Sequence, residues 1–318
     1  KIHYISLYDN NKITFLNIGK LKNLTFGHGQ LLHKYSNSYN YPLMQRTGLQ
    51  FHIDPPDRNS YSLDFFVSDI SQILNGGGFY GIHGSYYISK FLPLTIGAGY
   101  LSDIDQYSEL DVDLDAGSNI KAAEVDIEYT LFENRDYKIN FISEYDGIFF
   151  AHELKYYHQG DGKERSREGT WGSMIGSELV LDSGHKFLFG AHYNASLYTP
   201  YYFSSTYDFE KIRTLNYDPN GNYSHYLNGE EYGNLFDFCE TGNECEEGDI
   251  LYLSKELYPL FLREDFVFPT LGASFQYEYN YYNKRGISMS GMYLMDNHPD
   301  SQNSYYLLDF EVFCLDFL

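Results

Sequence analysis

The stretch that decides the fold runs Lys121-Ala-Ala-Glu-Val-Asp-Ile-Glu-Tyr-Thr-Leu-Phe132. Its odd-numbered positions from 123 to 131 are apolar or aromatic, and its even-numbered positions from 124 to 128 are acidic. A period of two places successive side chains on opposite faces of a β-strand, so this segment has one apolar face and one charged face. Its length suits the roughly 9 to 11 residues that a tilted strand needs to cross a bilayer better than the roughly 5 to 6 of an average soluble strand.

The same alternation recurs along the chain, whereas helical periodicity is confined to one short segment, 251–262. Clear examples of the alternation are residues 47–53, 61–68, 94–100, 187–193 and 271–280. The pattern predicts about 12 strands from residue 22 onward, and two further segments, 2–8 and 13–19, raise the number to about 14. Nothing marks a linker, so we expect residues 1–318 to form a single domain with a long loop insertion at about 196–268.

Short turns and long connections alternate between these strands. The short turns are 54–59, 89–92, 133–136, 182–184 and 281–285. The longer connections are 33–45, 68–77, 102–120, 146–169, 196–268 and 296–303. This alternation is typical of an antiparallel up-and-down transmembrane β-barrel with short periplasmic turns and long extracellular loops. The alternative is a soluble, secreted β-sandwich that binds its ligand through surface tyrosines.

The composition excludes several classes. The net charge of −22 argues against nucleic-acid binding, and the 19% aromatic content argues against disorder. In a membrane barrel the apolar face meets lipid and the polar face lines the lumen. The predicted lumen-lining residues are Asp64, His83, Glu124, Asp126, Glu128, Lys138, Glu144, Glu178 and Glu278. Such a mainly acidic wall favours cations or neutral solutes.

Several short stretches resemble one class of membrane protein. They are residues 24–32 (Leu-Thr-Phe-Gly-His-Gly-Gln-Leu-Leu), 35–37 (Tyr-Ser-Asn), 76–78 (Gly-Gly-Gly), 92–97 (Leu-Pro-Leu-Thr-Ile-Gly) and 103–107 (Asp-Ile-Asp-Gln-Tyr). Together they are similar to uncharacterised, porin-like β-barrel proteins of Gram-negative outer membranes. The resemblance is good over residues 20–130 and holds in outline beyond them. It implies a fold and a location, but no reaction and no ligand.

Two loops contain candidate sites. Asp111, Asp113 and Asp115 offer oxygen atoms at alternate positions and are a candidate Ca²⁺ site in an extracellular loop, although a solvated acidic loop without an ion explains them as well. No other cofactor is expected. Cys239 and Cys245 close a small polar loop, which favours a local disulfide in an oxidising compartment, with two free thiols as the alternative.

The sequence predicts no enzyme. An outer-membrane lipase would need Ser and His side by side on the lipid-facing edge, whereas His83 and His192 fall on the polar face without a local Ser signature. We expect a porin-like channel in outer-membrane lipid that passes small solutes. The alternative is a closed barrel whose acidic loops bind a protein partner or assemble with copies of the same chain at the cell surface. The segment 196–268 could fold inward as a plug or outward as that surface.

Overall fold

The computed structural model describes residues 4–9, 14–38, 46–54, 61–107, 119–158, 163–205, 207–216, 250–255, 269–281, 285–296 and 304–314. The fold is all-β, as predicted. The strands are β1 Tyr4–Asp9, β2 Thr14–Gly19, β3 Leu32–His33, β4 Gly48–Ile53, β5 Tyr61–Val67, β6 Phe79–Tyr87, β7 Leu94–Asp103, β8 Ile120–Glu133, β9 Tyr137–His158, β10 Lys163–Leu181, β11 His185–Asn194, β12 Phe203–Ser204, β13 Ile212–Asn216, β14 Ile250–Ser254, β15 Thr270–Tyr281, β16 Arg285–Asp296 and β17 Ser304–Cys314. Two short helices are α1 Ile70–Leu74 and α2 Tyr207–Glu210.

Thirteen strands form one sheet in the order β1-β2-β4-β5-β6-β7-β8-β9-β10-β11-β15-β16-β17. Each neighbouring pair is antiparallel. Thirteen lies within the predicted range of 12 to 14, and the up-and-down order is the predicted one. The prediction of a closed barrel is not met, because no pairing in the described ranges joins β1 to β17. With an odd number of alternating strands these two edges run in the same direction, so they cannot pair in the antiparallel manner of the others.

The two faces of the sheet differ in the way the sequence predicts, with buried polar residues on one and exposed apolar residues on the other. In β8, Glu124 and Asp126 are 2% and 6% exposed, whereas Val125 and Ile127 are 49% and 37% exposed. We call the face of Glu124 the inner face and the opposite one the outer face. The outer face exposes large apolar side chains on many strands, including Ile82, Ile96, Phe141, Tyr145, Ile175, Phe189, Ile287, Met289, Tyr293 and Leu308. Soluble proteins rarely leave so many large apolar groups side by side in water.

The inner face is covered by two connections of this chain, which we call the inner layer: residues 20–37, 195–205 and 207–211. A bridge between Leu24 and Tyr35 closes the first connection on itself, with backbone N···O distances of 3.0 and 2.8 Å. The two connections then join as a short parallel ladder of β3 with β12, in which Phe203 lies opposite Leu32. Part of the predicted 196–268 insertion therefore folds inward.

The largest apolar core lies between the inner layer and the sheet. Its buried residues are Leu21, Leu24, Phe26, Leu31, Leu32, Tyr35, Phe66, Phe79, Leu101, Ile120, Ala122, Ile148, Tyr198, Tyr202, Phe203 and Tyr207. The ring of Phe79, from β6, lies 4.7 Å from Phe203 and 5.1 Å from Tyr207, centroid to centroid. Large aromatic rings bury much apolar area, so these contacts hold the inner layer against the sheet.

One local prediction is wrong. Residues 146–169 are mostly strand rather than connection, because β9 and β10 continue through them as a long hairpin with a register shift between Arg167 and Gly169. Of the segment 251–262, which has the helical spacing, residues 251–254 belong to strand β14 paired with β13, and 256–262 lie outside the described residues. Neither helix in the described ranges is long or apolar enough to span a membrane.

Candidate functional site

A row of polar residues crosses the inner face at one level. Cross-strand register places Asp64 opposite His83, His83 opposite Gly99, Gly99 opposite Glu124, and Glu124 opposite Asp146. The row continues through Gly172 to Asn194 and Thr270. Because a slip of one residue between two strands would bring the apolar face of one strand here, this row exists only while the register holds.

A cluster of buried carboxylates forms at the centre of this row. Oxygen atoms of Glu124, Glu144 and Asp146 lie within 4.8 Å of one another, and a second group at the same spacing joins His83, Glu124 and Asp126. The Nε2 atom of His83 lies 2.8 Å from Asp126 Oδ2 and 3.8 Å from Glu124 Oε1. All five side chains are buried. We call these five residues the carboxylate cluster.

Two glycines of the neighbouring strand β7 make room for these carboxylates. A Cβ atom at Gly97 would lie 2.1 Å from Asp126 Oδ2, and one at Gly99 would lie 2.6 Å from Glu124 Oε1. Both distances are far below van der Waals contact. Glycine at these two positions of β7 therefore lets the carboxylates of β8 lie directly against the neighbouring strand.

The inner layer binds the cluster through a glycine-rich turn, Gly27-His28-Gly29-Gln30. The backbone N–H of His28 donates to Glu144 Oε2 at 2.5 Å, and that of Gln30 donates to Oε1 at 3.0 Å. Gly27 and Gly29 have φ of +51° and +84°, values that L side chains rarely adopt. These conformations turn alternate N–H groups toward the same carboxylate, and such concave arrangements of N–H groups favour anions.

Tyr198 joins the second connection to the cluster. Its hydroxyl donates to Asp146 Oδ2 at 3.2 Å, and it is buried. Burial, followed by the negative charges of Asp146 and Glu144, raises the pKa of this hydroxyl well above its usual value. Gln30 adds a side-chain bond from Nε2 to Asn194 Oδ1 at 3.3 Å. Both connections of the inner layer therefore hydrogen-bond to the same polar row.

The other predicted lumen-lining residues lie on the inner face as ion pairs. Asp64 Oδ1 lies 2.7 Å from His52 Nδ1, and Glu128 Oε1 lies 2.6 Å from Lys138 Nζ. Glu178 pairs with a residue that was not predicted to line the lumen, Lys186, at 2.5 Å. The wall therefore carries more positive charge than the sequence prediction allowed.

Glu278 lines a cavity of about 340 Å³ between the inner layer and strands β11, β15 and β16. Its walls are mainly polar and of mixed charge: Asn23, Thr25, His28, His33, Lys34, Lys186, Leu188, Gln276, Glu278 and Ser288. This volume suffices for several water molecules or a small polar solute.

Two predictions concern residues at or beyond the limits of this site. The candidate Ca²⁺ ligands Asp111, Asp113 and Asp115 and the candidate disulfide partners Cys239 and Cys245 lie outside the described residues.

Ser and His do meet on the inner face, where His192 Nε2 lies 2.6 Å from Ser274 Oγ. In the described part of the chain no hydrogen-bond partner reaches His192 Nδ1, so the third group of a catalytic triad is missing there.

The most important residue that the sequence interpretation missed is Asp146. It was placed at the start of a connection, although its even number continues the inner-face series of Asn140, Ile142 and Glu144. That parity could have identified it. The roles of Gln30 and Tyr198 had no such signal, because they depend on how two distant connections fold against the sheet.

Comparison with known proteins adds no relationship. No protein-family model matches this chain, and no curated protein sequence matches it. The function is therefore argued from the sheet, the inner layer and the carboxylate cluster.

Proposed function

We propose that this antiparallel sheet, which is open between β1 and β17 in the described residues, is completed to a β-barrel in a Gram-negative outer membrane. The inner layer would plug its lumen, and its long acidic loops would bind a partner or assemble at the cell surface. The exposed apolar outer face supports a lipid environment, because lipid removes the cost of leaving those side chains in water. The strands that carry this face include several of bilayer-spanning length, such as β7 with 10 residues and β16 with 12.

The observation that supports a plugged lumen rather than an open one is the aromatic core under the inner layer. Phe79, Phe203 and Tyr35 are completely buried, and their rings contact one another or their neighbours at centroid distances of 4.7 to 5.0 Å. Displacing the inner layer would expose this core to water, at about 1.5 to 3 kcal/mol for each large side chain. A plug held in this way does not open spontaneously, which argues against a permanently open general pore.

The membrane location has a direct test. The full chain is refolded into detergent micelles and analysed on gels with and without boiling, and its partition between detergent and water is measured. We expect a boiling-dependent shift in migration and recovery in the detergent phase. Recovery as a stable monomer in water without detergent would contradict the proposal and favour the secreted β-sandwich.

A second function, passage of small cations or neutral solutes, is favoured by the cavity of about 340 Å³ beside the inner layer. This cavity shows that the inner layer does not fill the whole space next to the sheet. Cation preference would have to come from the acidic row, since carboxylates on a pore wall attract cations, whereas the cavity itself has both positive and negative side chains, Lys34 and Lys186 with Glu278.

Planar lipid bilayers separate the two functions. A plugged barrel is expected to give no steady conductance at low voltage after insertion of the full chain. Steady single-channel steps with cation preference would refute the plugged barrel and support the passage of small solutes. Anion-selective steps would contradict both functions. Insertion without conductance is verified by the heat-dependent gel shift of protein recovered from the same vesicles.

A further inference from the structure

The side chain of Glu124 has no hydrogen-bond donor although it is only 2% exposed. Neither of its carboxylate oxygens is hydrogen-bonded within the described residues, and the same holds for Oδ1 of Asp146. His83 Nε2, at 3.8 Å, is beyond hydrogen-bond distance from Glu124. Buried polar groups in folded proteins are nearly always satisfied, so such a group needs an explanation.

We propose that Glu124, Glu144 and Asp146 bind one hard divalent cation of the Ca²⁺ class beneath the inner layer. The three carboxylates have oxygen atoms within 4.8 Å of one another, a spacing at which one ion can contact all three. Bidentate carboxylates would supply up to six of the roughly six to eight oxygens that Ca²⁺ prefers. The proposal concerns the interior of the sheet and does not depend on the membrane location.

Charge balance supports an ion at this place. In the described part of the chain no Lys or Arg forms an ion pair with Glu124, Glu144 or Asp146, whereas the carboxylates farther along the wall have partners, as Glu178 has Lys186. A buried charge without compensation costs several kcal/mol. A divalent cation would neutralise the group and would let Glu124 satisfy both oxygens at once.

The ligand type points to a hard ion rather than to zinc. The proposed ligands are oxygen atoms alone, and the imidazole of His83 beside Glu124 is already hydrogen-bonded to Asp126 at 2.8 Å. Glu144 is further oriented by two backbone N–H groups and Asp146 by the Tyr198 hydroxyl. Supporting bonds of this kind fix the ligands of a metal site, so an ion here would fasten both connections of the inner layer to the sheet.

The test measures ion binding by the full chain in detergent. The protein is refolded with EGTA and, in parallel, with Ca²⁺ or Tb³⁺, because the buried site is loaded most readily during folding. Bound Ca²⁺ is measured by elemental analysis after dialysis, and Tb³⁺ by tyrosine-sensitised luminescence, for which Tyr198 is a nearby donor. Glu124→Gln removes a ligand while keeping the shape of the side chain, and Asp146→Asn is the second variant.

Two controls locate the ion. Glu178→Gln changes a buried inner-face carboxylate that has its own partner, Lys186, and lies outside the cluster. A triple variant, Asp111→Asn with Asp113→Asn and Asp115→Asn, removes the candidate loop site. Folding of every variant is verified by circular dichroism, which does not presuppose a membrane barrel, and the Asp146→Asn result decides if Glu124→Gln does not fold.

We expect one ion per chain that is retained in the triple loop variant and in Glu178→Gln. Its affinity should fall at least about 10-fold in Glu124→Gln or Asp146→Asn, since losses of 10-fold to 100-fold already follow from changes next to metal ligands. Equal binding by wild type and a folded cluster variant would overturn the proposal. Absence of bound ion in the wild type refolded with Ca²⁺ would overturn it too, and would leave protons to neutralise the cluster.

Discussion

Replacing a central outer-face isoleucine with arginine tests whether that face meets lipid. Ile82 lies in the middle of β6 and Ile96 is the third residue of β7, and both are 42% exposed. Ile96 pairs with Tyr86, four residues along β6 from Ile82. At about 3.3 Å per residue and a tilt of about 40°, the two isoleucines differ in membrane depth by about 10 Å.

The expected cost of these arginine substitutions differs between a water-exposed and a lipid-exposed outer face. In water, arginine at either exposed position should change the free energy of unfolding by no more than about 0.5 kcal/mol, and by the same amount at both. In a bilayer, arginine costs about 2 to 4 kcal/mol at the midplane and about 0 to 1 kcal/mol near the interface. Ile82→Arg should therefore destabilise the protein by about 1 to 4 kcal/mol more than Ile96→Arg, which is at least about a factor of 5 in the folding equilibrium.

The assay is reversible urea unfolding in lipid vesicles, followed by the fluorescence of the single tryptophan, Trp171. This residue lies on β10 with its ring 5.5 Å from Tyr145 and 5.3 Å from Tyr193, centroid to centroid, so unfolding changes its surroundings. Wild type and both variants are compared at one lipid composition. Equal and small effects of Ile82→Arg and Ile96→Arg would refute a lipid-facing outer face.

Two further predictions concern the inner layer. Gly29→Ala should lower the free energy of unfolding by about 2 kcal/mol, because φ at this position is +84° and the new Cβ would lie 2.9 Å from a histidine ring, whereas Gly84→Ala, with no atom closer than 3.7 Å, should leave the same urea transition unchanged. Burial, as the largest cause, raises the pKa of Tyr35, Tyr198 and Tyr207, so their contribution to stability is complete below pH of about 10 and is lost as pH rises above it. An ultraviolet titration should show these hydroxyls ionising only together with unfolding, and ionisation of all tyrosines in the folded protein near pH 10 would contradict their burial.

Much of the fold could be predicted from alternation, since a side-chain period of two is a property of the strand itself. Lys121–Phe132 was read from sequence as a strand with an acidic and an apolar face, and β8 has these faces. The end of β9 was missed because the polar residues beyond Phe150 resemble a loop, and only pairing with β10 extends the strand to His158. Hydrogen bonding to a partner strand is invisible in local sequence.

The candidate site, too, could be predicted from the sequence only in part. Alternation identified Glu124, Asp126 and Glu144 as residues of one face, because their positions within a strand suffice for that. Their grouping with His83 and Asp146 depends on the register of three neighbouring strand pairs, which turns and packing fix together. In the sequence, residues 27–30 stand out only as part of the stretch 24–32 that carries the resemblance, and the contact of this turn with Glu144, more than 100 residues away, has no sequence signal.

The sequence by itself therefore determined an acidic all-β chain with one apolar and one polar face on each long strand, since those properties follow from residue type and from a period of two. The tertiary structure alone decided that two connections fold inward and that their aromatic rings cover the polar row. It also decided that a buried carboxylate is left without a hydrogen-bond donor. These features arise from contacts between residues far apart in the chain, and their free energy depends on what is buried together rather than on any local pattern.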